Sequence, residues 1–120
     1  MHEFSICEGI VKIAVEEMAK VDPPATALRR TTVVIGALHQ IVPENLTFAY
    51  EVLTRDTAAA GSELELRFVP IKATCGDCEW QGEIQQPLFL CGKCNSGNIE
   101  LLSGKELYVE NLEIEQDGDD

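Results

Sequence analysis

Two pairs of cysteines constrain this 120-residue chain more than any other feature. Two C-x2-C motifs, C-G-D-C at 75–78 and C-G-K-C at 91–94, are separated by twelve residues. Each motif can turn two thiolates to one side, so that the pair supplies a closed tetrahedral set with no position left for a substrate. Zinc suits four thiolates without redox chemistry, and iron or a redox dithiol is the alternative use of the motifs. We therefore predict structural zinc at Cys75, Cys78, Cys91 and Cys94.

The composition limits which cellular compartment and which partners we expect for this protein. The chain has five cysteines, an odd number, and it lacks the basic start and apolar block of a secretory signal, so we expect a cytoplasmic protein without a disulfide framework. No stretch approaches the ~18 to 20 apolar residues of a membrane span. Nine Lys and Arg against 21 Asp and Glu give a net charge of −12, which disfavours nucleic acid and anionic membrane surfaces as partners.

Apolar periodicity predicts two helices. The first runs from Ser5 to about Lys20, with Ile10, Ile13 and Met18 on its apolar face. An S-x-x-E capping box marks the start at Ser5, although tertiary contacts could extend the helix towards Glu3. The second runs from about Pro43 to Arg55, with proline in the first turn. Three further segments, 28–35, 64–68 and 106–114, have the β-branched or alternating composition of strands.

The cysteine region interrupts this pattern. Residues 74–97 contain four glycines and almost no aliphatic periodicity, so this segment cannot build an apolar core of its own. We predict an α+β fold in which a small mixed three-stranded sheet and two helices occupy 1–70 and 105–120. A four-cysteine, zinc-ribbon-like module is inserted between them at 71–104. Residues 113–120 contain five acids and are expected to form a frayed, solvated tail.

The first three residues, Met1-His2-Glu3, offer a second metal site. The terminal amine, the His2 backbone nitrogen and a His2 ring nitrogen can chelate one cation, and such donors suit square-planar or tetragonal Ni(II) or Cu(II). The chelate requires that Met1 be retained, which the bulky His2 favours. The same residues are also consistent with an exposed imidazole in a frayed terminus, and the residues alone leave both interpretations open.

Other candidate residues have simpler roles. We expect His39 to be a polar residue of the turn before Pro43, with a metal ligand as its alternative role. We expect Cys7 to be a small buried side chain and Trp80 to pack over the cysteine module. The sequence contains no glycine-rich phosphate loop, no Ser/His/Asp set and no paired carboxylates in a credible pocket. We therefore do not expect an enzyme.

Taken together, these motifs resemble the HypA/HybF family of hydrogenase maturation factors. The resemblance is carried by M-H-E-F-S at the start, V-I-G at 34–36, L-T-F-A-Y at 46–50, the two C-x2-C motifs and G-K-E-L at 104–107. It implies a nickel metallochaperone that helps to insert nickel into the large subunit of [NiFe]-hydrogenase together with the GTPase HypB. In some organisms members of the family also serve urease, which implies urease accessory proteins as further partners.

The resemblance also implies two metal sites. It places Ni²⁺, as transferred cargo, on Met1 through its amine, on His2 through its backbone and side chain, and on Glu3 as a backbone donor or neighbouring acid. It places structural Zn²⁺ on the four cysteines. The competing hypothesis is a zinc-ribbon adaptor that binds protein and has no role in nickel handling, and a nickel titration separates the two.

Overall fold

The computed structural model describes residues 2–84 and 89–116, which form two α-helices and two three-stranded sheets. The predicted α+β class is confirmed. In chain order the elements are α1 (His2–Lys20), β1 (Ala25–Gly36), a 3-10 turn (Ala37–His39), α2 (Pro43–Thr54), β2 (Glu63–Val69), β3 (Lys72–Cys75), β4 (Gln81–Glu83), β5 (Ile99–Ser103) and β6 (Leu107–Gln116).

The described residues divide into two compact units. The first unit contains both helices and most of the sheet of order β2-β1-β6, and the second contains the sheet of order β4-β3-β5. By residue number, the first unit comprises 2–33, 41–67 and 108–116, and the second comprises 34–40, 68–84 and 89–107.

The core of the first unit forms where α1 meets the sheet and α2. Ala14 and Met18 of α1 pack with Leu28 of β1, and Leu112 and Ile114 of β6 cover this cluster. These positions follow the helical and strand periodicities of the sequence. Each fully buried aliphatic side chain stabilises the fold by roughly 1.5–3 kcal/mol, so this packing is what fixes α1 in place. Ile13, predicted on the apolar face, is 45% exposed and is the exception.

The start of α1 differs from the prediction. The helix begins at His2, three residues before the Ser5 capping box. Glu3 is only 5% exposed, and its carboxylate accepts a hydrogen bond from the Val42 N–H at 3.1 Å. Because Val42 is the residue that precedes α2, this bond ties the first turn of α1 to the start of α2 and extends the helix beyond its local signal.

The prediction of a frayed acidic tail at 113–120 can be compared with the structure only over residues 113–116, since residues 117–120 lie outside the described residues. The expectation of a frayed tail is wrong for residues 113–116, which belong to β6. Arg29 Nε donates to the Glu115 carboxylate at 2.7 Å, and Ile114 packs against the core. Cross-strand pairing and apolar burial therefore stabilise residues 113–116 as part of a strand.

The second unit is built around β3, which pairs antiparallel with β4 on one side and β5 on the other. Its small core consists of Ile71, Ala73 and Ile84, with partly buried apolar side chains around them. Among the described residues of 74–97, namely 74–84 and 89–97, only Trp80 and Ile84 contribute to this core, in agreement with the expectation that the cysteine segment has no core of its own. None of its three strands was predicted, because β3 and β4 have only four and three residues and the sequence of β5, I-E-L-L-S, lacks a clear alternation.

Two glycines allow a close backbone approach in the second unit. A Cβ at Gly36 would lie 2.1 Å from the backbone of Gly104, and Gly104 itself has a φ of +117°. The Leu38 N–H donates to the Gly104 carbonyl at 3.0 Å, and the Gly36 N–H donates to the Glu106 carbonyl at 2.7 Å. The turn at 103–105 thus depends on the absence of a side chain at both positions.

None of the helices within the described residues combines the length and the apolar character needed to cross a membrane.

Candidate metal centre

The four predicted zinc ligands come together in the second unit. The sulfur atoms of all four lie within 4.8 Å of one another. Two of the separations are shorter, 3.7 Å between Cys75 and Cys94 and 3.5 Å between Cys78 and Cys91. In a tetrahedral site with Zn–S bonds of about 2.3 Å, the sulfur atoms are about 3.8 Å apart. The spacing of the sulfur atoms and the all-thiolate chemistry of the set therefore fit zinc.

Both C-x2-C motifs adopt the same backbone turn. The Glu79 N–H donates to the Cys75 carbonyl and the Asn95 N–H donates to the Cys91 carbonyl, each at 3.0 Å. Glu79 and Asn95, which follow the two motifs, have φ values of 64° and 60°. Asparagine adopts this left-handed conformation readily, whereas for glutamate it is uncommon and is imposed by the turn. Each turn directs its two sulfur atoms to the same side.

Backbone N–H groups point at the sulfur atoms. The N–H of Asp77 donates to Cys75 Sγ, and the N–H groups of Lys93 and Cys94 donate to Cys91 Sγ, each at 3.3 Å. Such bonds stabilise a thiolate more than a thiol, because the charged sulfur is the stronger acceptor. The turns therefore prepare the sulfur atoms for a cation as well as placing them.

The pKa values of the cysteines are pushed apart. Burial raises the pKa of Cys91, but the N–H groups of Cys94 and Lys93 outweigh it and lower that pKa to about 6. At Cys94 the Ser96 N–H favours the thiolate, yet local desolvation and the neighbouring sulfur atoms raise the pKa to about 12. Four adjacent thiols cannot all lose their protons, because like charges repel. A divalent cation supplies the compensating charge, and it displaces the remaining protons on binding.

Trp80 covers the module, as predicted. It packs with the small core of the second unit, and its indole ring lies against two glycines. A Cβ added at Gly82 would be 2.4 Å from Trp80 Cζ2, and one added at Gly92 would be 2.7 Å from the same atom. Gly92 lies inside the second cysteine motif, so the ring limits what the motif can accommodate.

The predicted nickel residues lie at the start of α1. His2 is the first residue of this helix and is exposed. Met1 lies outside the described residues. The Glu3 side chain is buried against Val42, and the hydrogen bond from the Val42 backbone lowers the pKa of Glu3 to about 2, so that the carboxylate is ionised at neutral pH.

The remaining candidates occupy different places. His39 belongs to the 3-10 turn, where its Nε2 is 3.0 Å from the Lys105 carbonyl oxygen. Cys7 is fully buried, as expected, with its sulfur 4.0 Å from the Leu46 carbonyl oxygen. Burial raises the pKa of the Cys7 thiol to about 11. Cys7 is thus a neutral core side chain and is not part of the four-cysteine group.

Sequence reasoning missed the polar residues that surround the cysteine motifs. Asp77 accepts hydrogen bonds from Ser96 and Asn98, and Glu79 adopts the left-handed conformation described above. A signal was present: an N-S-G-N segment directly after the second motif has the composition of a polar turn. Its partner across the module could not be inferred, since the contact spans about twenty residues.

Comparison with known proteins agrees with this arrangement. The family model described as hydrogenase/urease nickel incorporation, metallochaperone, HypA matches residues 1–114. A hydrogenase maturation factor HypA of Acidithiobacillus ferrooxidans is 37% identical over 115 residues, covering 96% of this chain and 100% of that protein. The corresponding factor of Desulfatibacillum aliphaticivorans is 35% identical, covering 95% of this chain and 87% of that protein.

The fold is shared with solved structures. The solution structure of the Ni metallochaperone HypA from Helicobacter pylori has a TM-score of 0.62 at 24% identity, and it covers 96% of this chain and 98% of that chain. A second solution structure, of a HypA protein, has a TM-score of 0.60 at 25% identity. With the sequence match over nearly the whole chain and a four-cysteine group able to hold a metal ion, the chain belongs to the HypA family of nickel metallochaperones for hydrogenase maturation.

Proposed function

We propose that this protein retains one Zn²⁺ in its four-cysteine site and carries Ni²⁺ at its N-terminus for insertion into [NiFe]-hydrogenase. The observation that carries the proposal is the family match over residues 1–114, which includes both the Met1-His2-Glu3 start and the four cysteines. The two sites have separate tasks. Zinc is the resident ion, and nickel is the cargo.

The zinc site holds the second unit together. Zinc supplies the charge that lets Cys75, Cys78, Cys91 and Cys94 remain thiolates in one place. The chain's own contribution is the pair of matching turns and the N–H groups aimed at the sulfur atoms. Because the small core of this unit cannot replace these bonds, metal binding and folding of the unit are coupled.

The nickel site uses nitrogen donors at the start of α1. The terminal amine, the His2 backbone nitrogen and the His2 ring bind the cation, and the exposure of His2 keeps the site open to a partner. A helix N-terminus carries partial positive charge, which disfavours a cation. The same ligands therefore bind nickel less tightly here than they would elsewhere, as suits a cargo that must be released.

Glu3 acts as an anchor for this site. Its carboxylate is bound to the Val42 N–H, so that it contributes to nickel binding through its backbone and through a nearby negative charge. The bond fixes the first turn of α1 against the start of α2. His2 is thereby held in an anchored first turn of α1 and not in a frayed end.

Transfer proceeds by ligand exchange with a partner. Donors of the recipient replace the His2 ring and the terminal amine one after the other, so that nickel is never released free. The GTPase HypB and the hydrogenase large subunit are the partners that the family implies, with urease accessory proteins as a further route in some organisms. We place this exchange in the cytoplasm, where the thiolates of the zinc site stay reduced.

Metal analysis and calorimetry test the proposal. Untagged protein that begins at Met1 is expected to contain one zinc, to bind Ni²⁺, and to lose nickel binding on His2→Ala substitution with zinc unchanged. His39→Ala is the matched control, since it removes the only other histidine of the chain and leaves the N-terminus intact. It should bind nickel as the wild type does.

The results separate the competing functions. Zinc without any His2-dependent nickel binding would leave a zinc-ribbon adaptor and refute the metallochaperone. Visible absorption from bound iron, or reversible oxidation of the cysteines in place of a bound metal, would refute the structural zinc site.

A further inference from the structure

We propose that Asp77, Ser96 and Asn98 form a clasp that controls how fast the module loses its zinc. Asp77 lies between the two cysteines of the first motif, whereas Ser96 and Asn98 follow the second motif. The clasp therefore joins the two halves of the site independently of the metal. The inference rests on the proposed zinc occupancy, and the experiment below separates the failure of one from the failure of the other.

Both carboxylate oxygens of Asp77 are used. Oδ2 accepts a hydrogen bond from the Ser96 hydroxyl, and Oδ1 accepts one from the Asn98 side-chain amide at 3.1 Å. The backbone repeats the connection, since the Gly76 N–H donates to the Asn98 carbonyl at 2.8 Å. The first cysteine motif is thus joined to the segment beyond the second motif by three hydrogen bonds.

Ser96 also contacts the second motif. Its carbonyl accepts a hydrogen bond from the Cys91 N–H at 2.9 Å, and its own N–H stabilises the Cys94 thiolate. Its hydroxyl accepts the Asn98 N–H at 3.0 Å while donating to Asp77. One residue therefore contacts ligands of the second motif and the carboxylate of the first.

The two motifs are unequal at this position. Asp77 comes two residues after Cys75, and Lys93 comes two residues after Cys91, yet within the described residues the Lys93 side chain makes no hydrogen bond or ion pair. The shared turn geometry therefore does not require a side-chain contact at this position. The Asp77 contacts are therefore additional to the turn, and they join it to the segment after the second motif.

Charge makes the role of Asp77 testable. Four thiolates and one Zn²⁺ carry a net charge of −2, and a nearby carboxylate repels this centre. By charge alone, removing Asp77 should make zinc leave more slowly. If the clasp keeps both motifs in register while a sulfur–zinc bond opens, its removal should make zinc leave faster. The two effects have opposite signs.

The experiment measures zinc release from the full-length, zinc-loaded protein into excess chelator. Asp77→Ala removes both side-chain bonds. Side chains that support metal ligands typically contribute about 10–100-fold to metal affinity, and we expect release to be faster by a factor of about that size. Glu79→Gln is the matched control, because it removes one exposed negative charge from the same turn without touching the clasp. It should release zinc at the wild-type rate or more slowly.

A conservative variant separates positioning from general support of the fold. The amide of Asp77→Asn can still accept from Asn98 and donate to Ser96, so its release rate should fall between those of wild type and Asp77→Ala. Ser96→Ala and Asn98→Ala each remove part of the clasp and should accelerate release less than Asp77→Ala. If Asp77→Ala does not fold, these two variants provide the measurement. Cobalt-substituted variants should keep the spectrum of a tetrahedral thiolate site.

Two results would overturn the clasp. One is zinc release from Asp77→Ala, or from both partner variants, at the wild-type rate or below it. The other is equal acceleration by Glu79→Gln, which would show that zinc release responds to any side-chain change in this turn and not to loss of the clasp. Either result leaves the zinc site itself in place. Wild-type protein without one bound zinc would refute the zinc assignment instead.

Discussion

The four-cysteine site and the N-terminus hold their donors in different ways. The cysteines are placed by two matching backbone turns, by N–H groups aimed at sulfur and by the clasp around Asp77. The His2 nitrogens that we propose as nickel donors lie at the start of α1, where His2 is exposed and the Glu3 side chain is buried. On this proposal, a small chain separates the retention of one metal from the transfer of another by how firmly each set of ligands is positioned.

Electrostatics strengthens this difference. At the cysteine site, close thiols resist losing their protons until a cation arrives, so the empty site is unfavourable and the filled one is stable. At the start of α1 the helix dipole acts against the proposed nickel ion. On this proposal, the first environment favours permanent occupancy and the second favours exchange.

Replacing one zinc ligand should have the largest effect. Cys75→Ser is expected to lose its zinc and to unfold the second unit, because the remaining thiolates no longer form a closed set and the small core cannot compensate. Metal analysis and backbone NMR spectra report both effects. Cys7→Ala is the control, since it removes the fully buried cysteine of the first unit and should keep its zinc. Full zinc content in Cys75→Ser would contradict the four-thiolate site.

The second-largest effect is expected from moving the terminal amine, which should weaken nickel binding. A Gly-Ser extension before Met1 keeps His2 but displaces the amine, and we expect nickel affinity to fall at least about tenfold, equivalent to ~1.4 kcal/mol. Zinc content should not change, because the cysteine site lies in the other unit. Calorimetric titration gives the affinity. If the extended protein bound nickel as tightly as the native start, the amine would not be a ligand.

The sequence predicts these two regions unequally. The helices, three of the strands and the grouping of the four cysteines follow from periodicity and spacing, which are local signals. The start of α1 at His2 does not, because it depends on the Glu3 bond to Val42, a contact across 39 residues. The strand conformation of residues 113–116 likewise depends on pairing with β1 and on the hydrogen bond from Arg29 to Glu115. Long-range contacts of this kind leave no periodic trace in the sequence.

The cysteine module shows the same division at smaller scale. The C-x2-C spacing identifies the ligands, yet it does not reveal that Asp77 is bound by Asn98 or that Trp80 lies on Gly92. These contacts support the ligands from outside. They arise from residues whose types, aspartate, asparagine and glycine, are common in any loop.

Crowding Trp80 should destabilise the module moderately. Gly92→Ala places a Cβ 2.7 Å from the ring, and we expect the loss of about 1–3 kcal/mol that is typical of overpacking. Gly97→Ala is the matched control, because its Cβ would meet nothing closer than 4.0 Å. Chemical denaturation of the zinc-loaded proteins compares them. Equal stability of the two variants would show that the ring yields and does not limit the motif.

The smallest of these effects is expected from acid, which should weaken the hydrogen bond that anchors Glu3 to Val42. The Val42 N–H lowers the pKa of Glu3 from 4.5 to about 2 in the folded protein, so the unfolded chain takes up the proton first as the pH falls. The stabilisation by Glu3 is therefore complete above pH 4.5 and declines towards pH 2. Glu3→Gln lacks this dependence and should be less stable than wild type at neutral pH.

The difference in the free energy of unfolding between wild type and Glu3→Gln separates the contribution of the Glu3 anchor from that of the metal site. Acid also protonates the cysteines and weakens zinc binding, but it does so in both proteins, so the effect cancels when their free energies of unfolding are subtracted. The subtracted value should be constant from pH 7 to about 5 and should shrink as the pH falls further. A difference that stayed constant to pH 3 would show that the Glu3 carboxylate does not hold the first turn. The N-terminus would then be positioned by α1 packing alone.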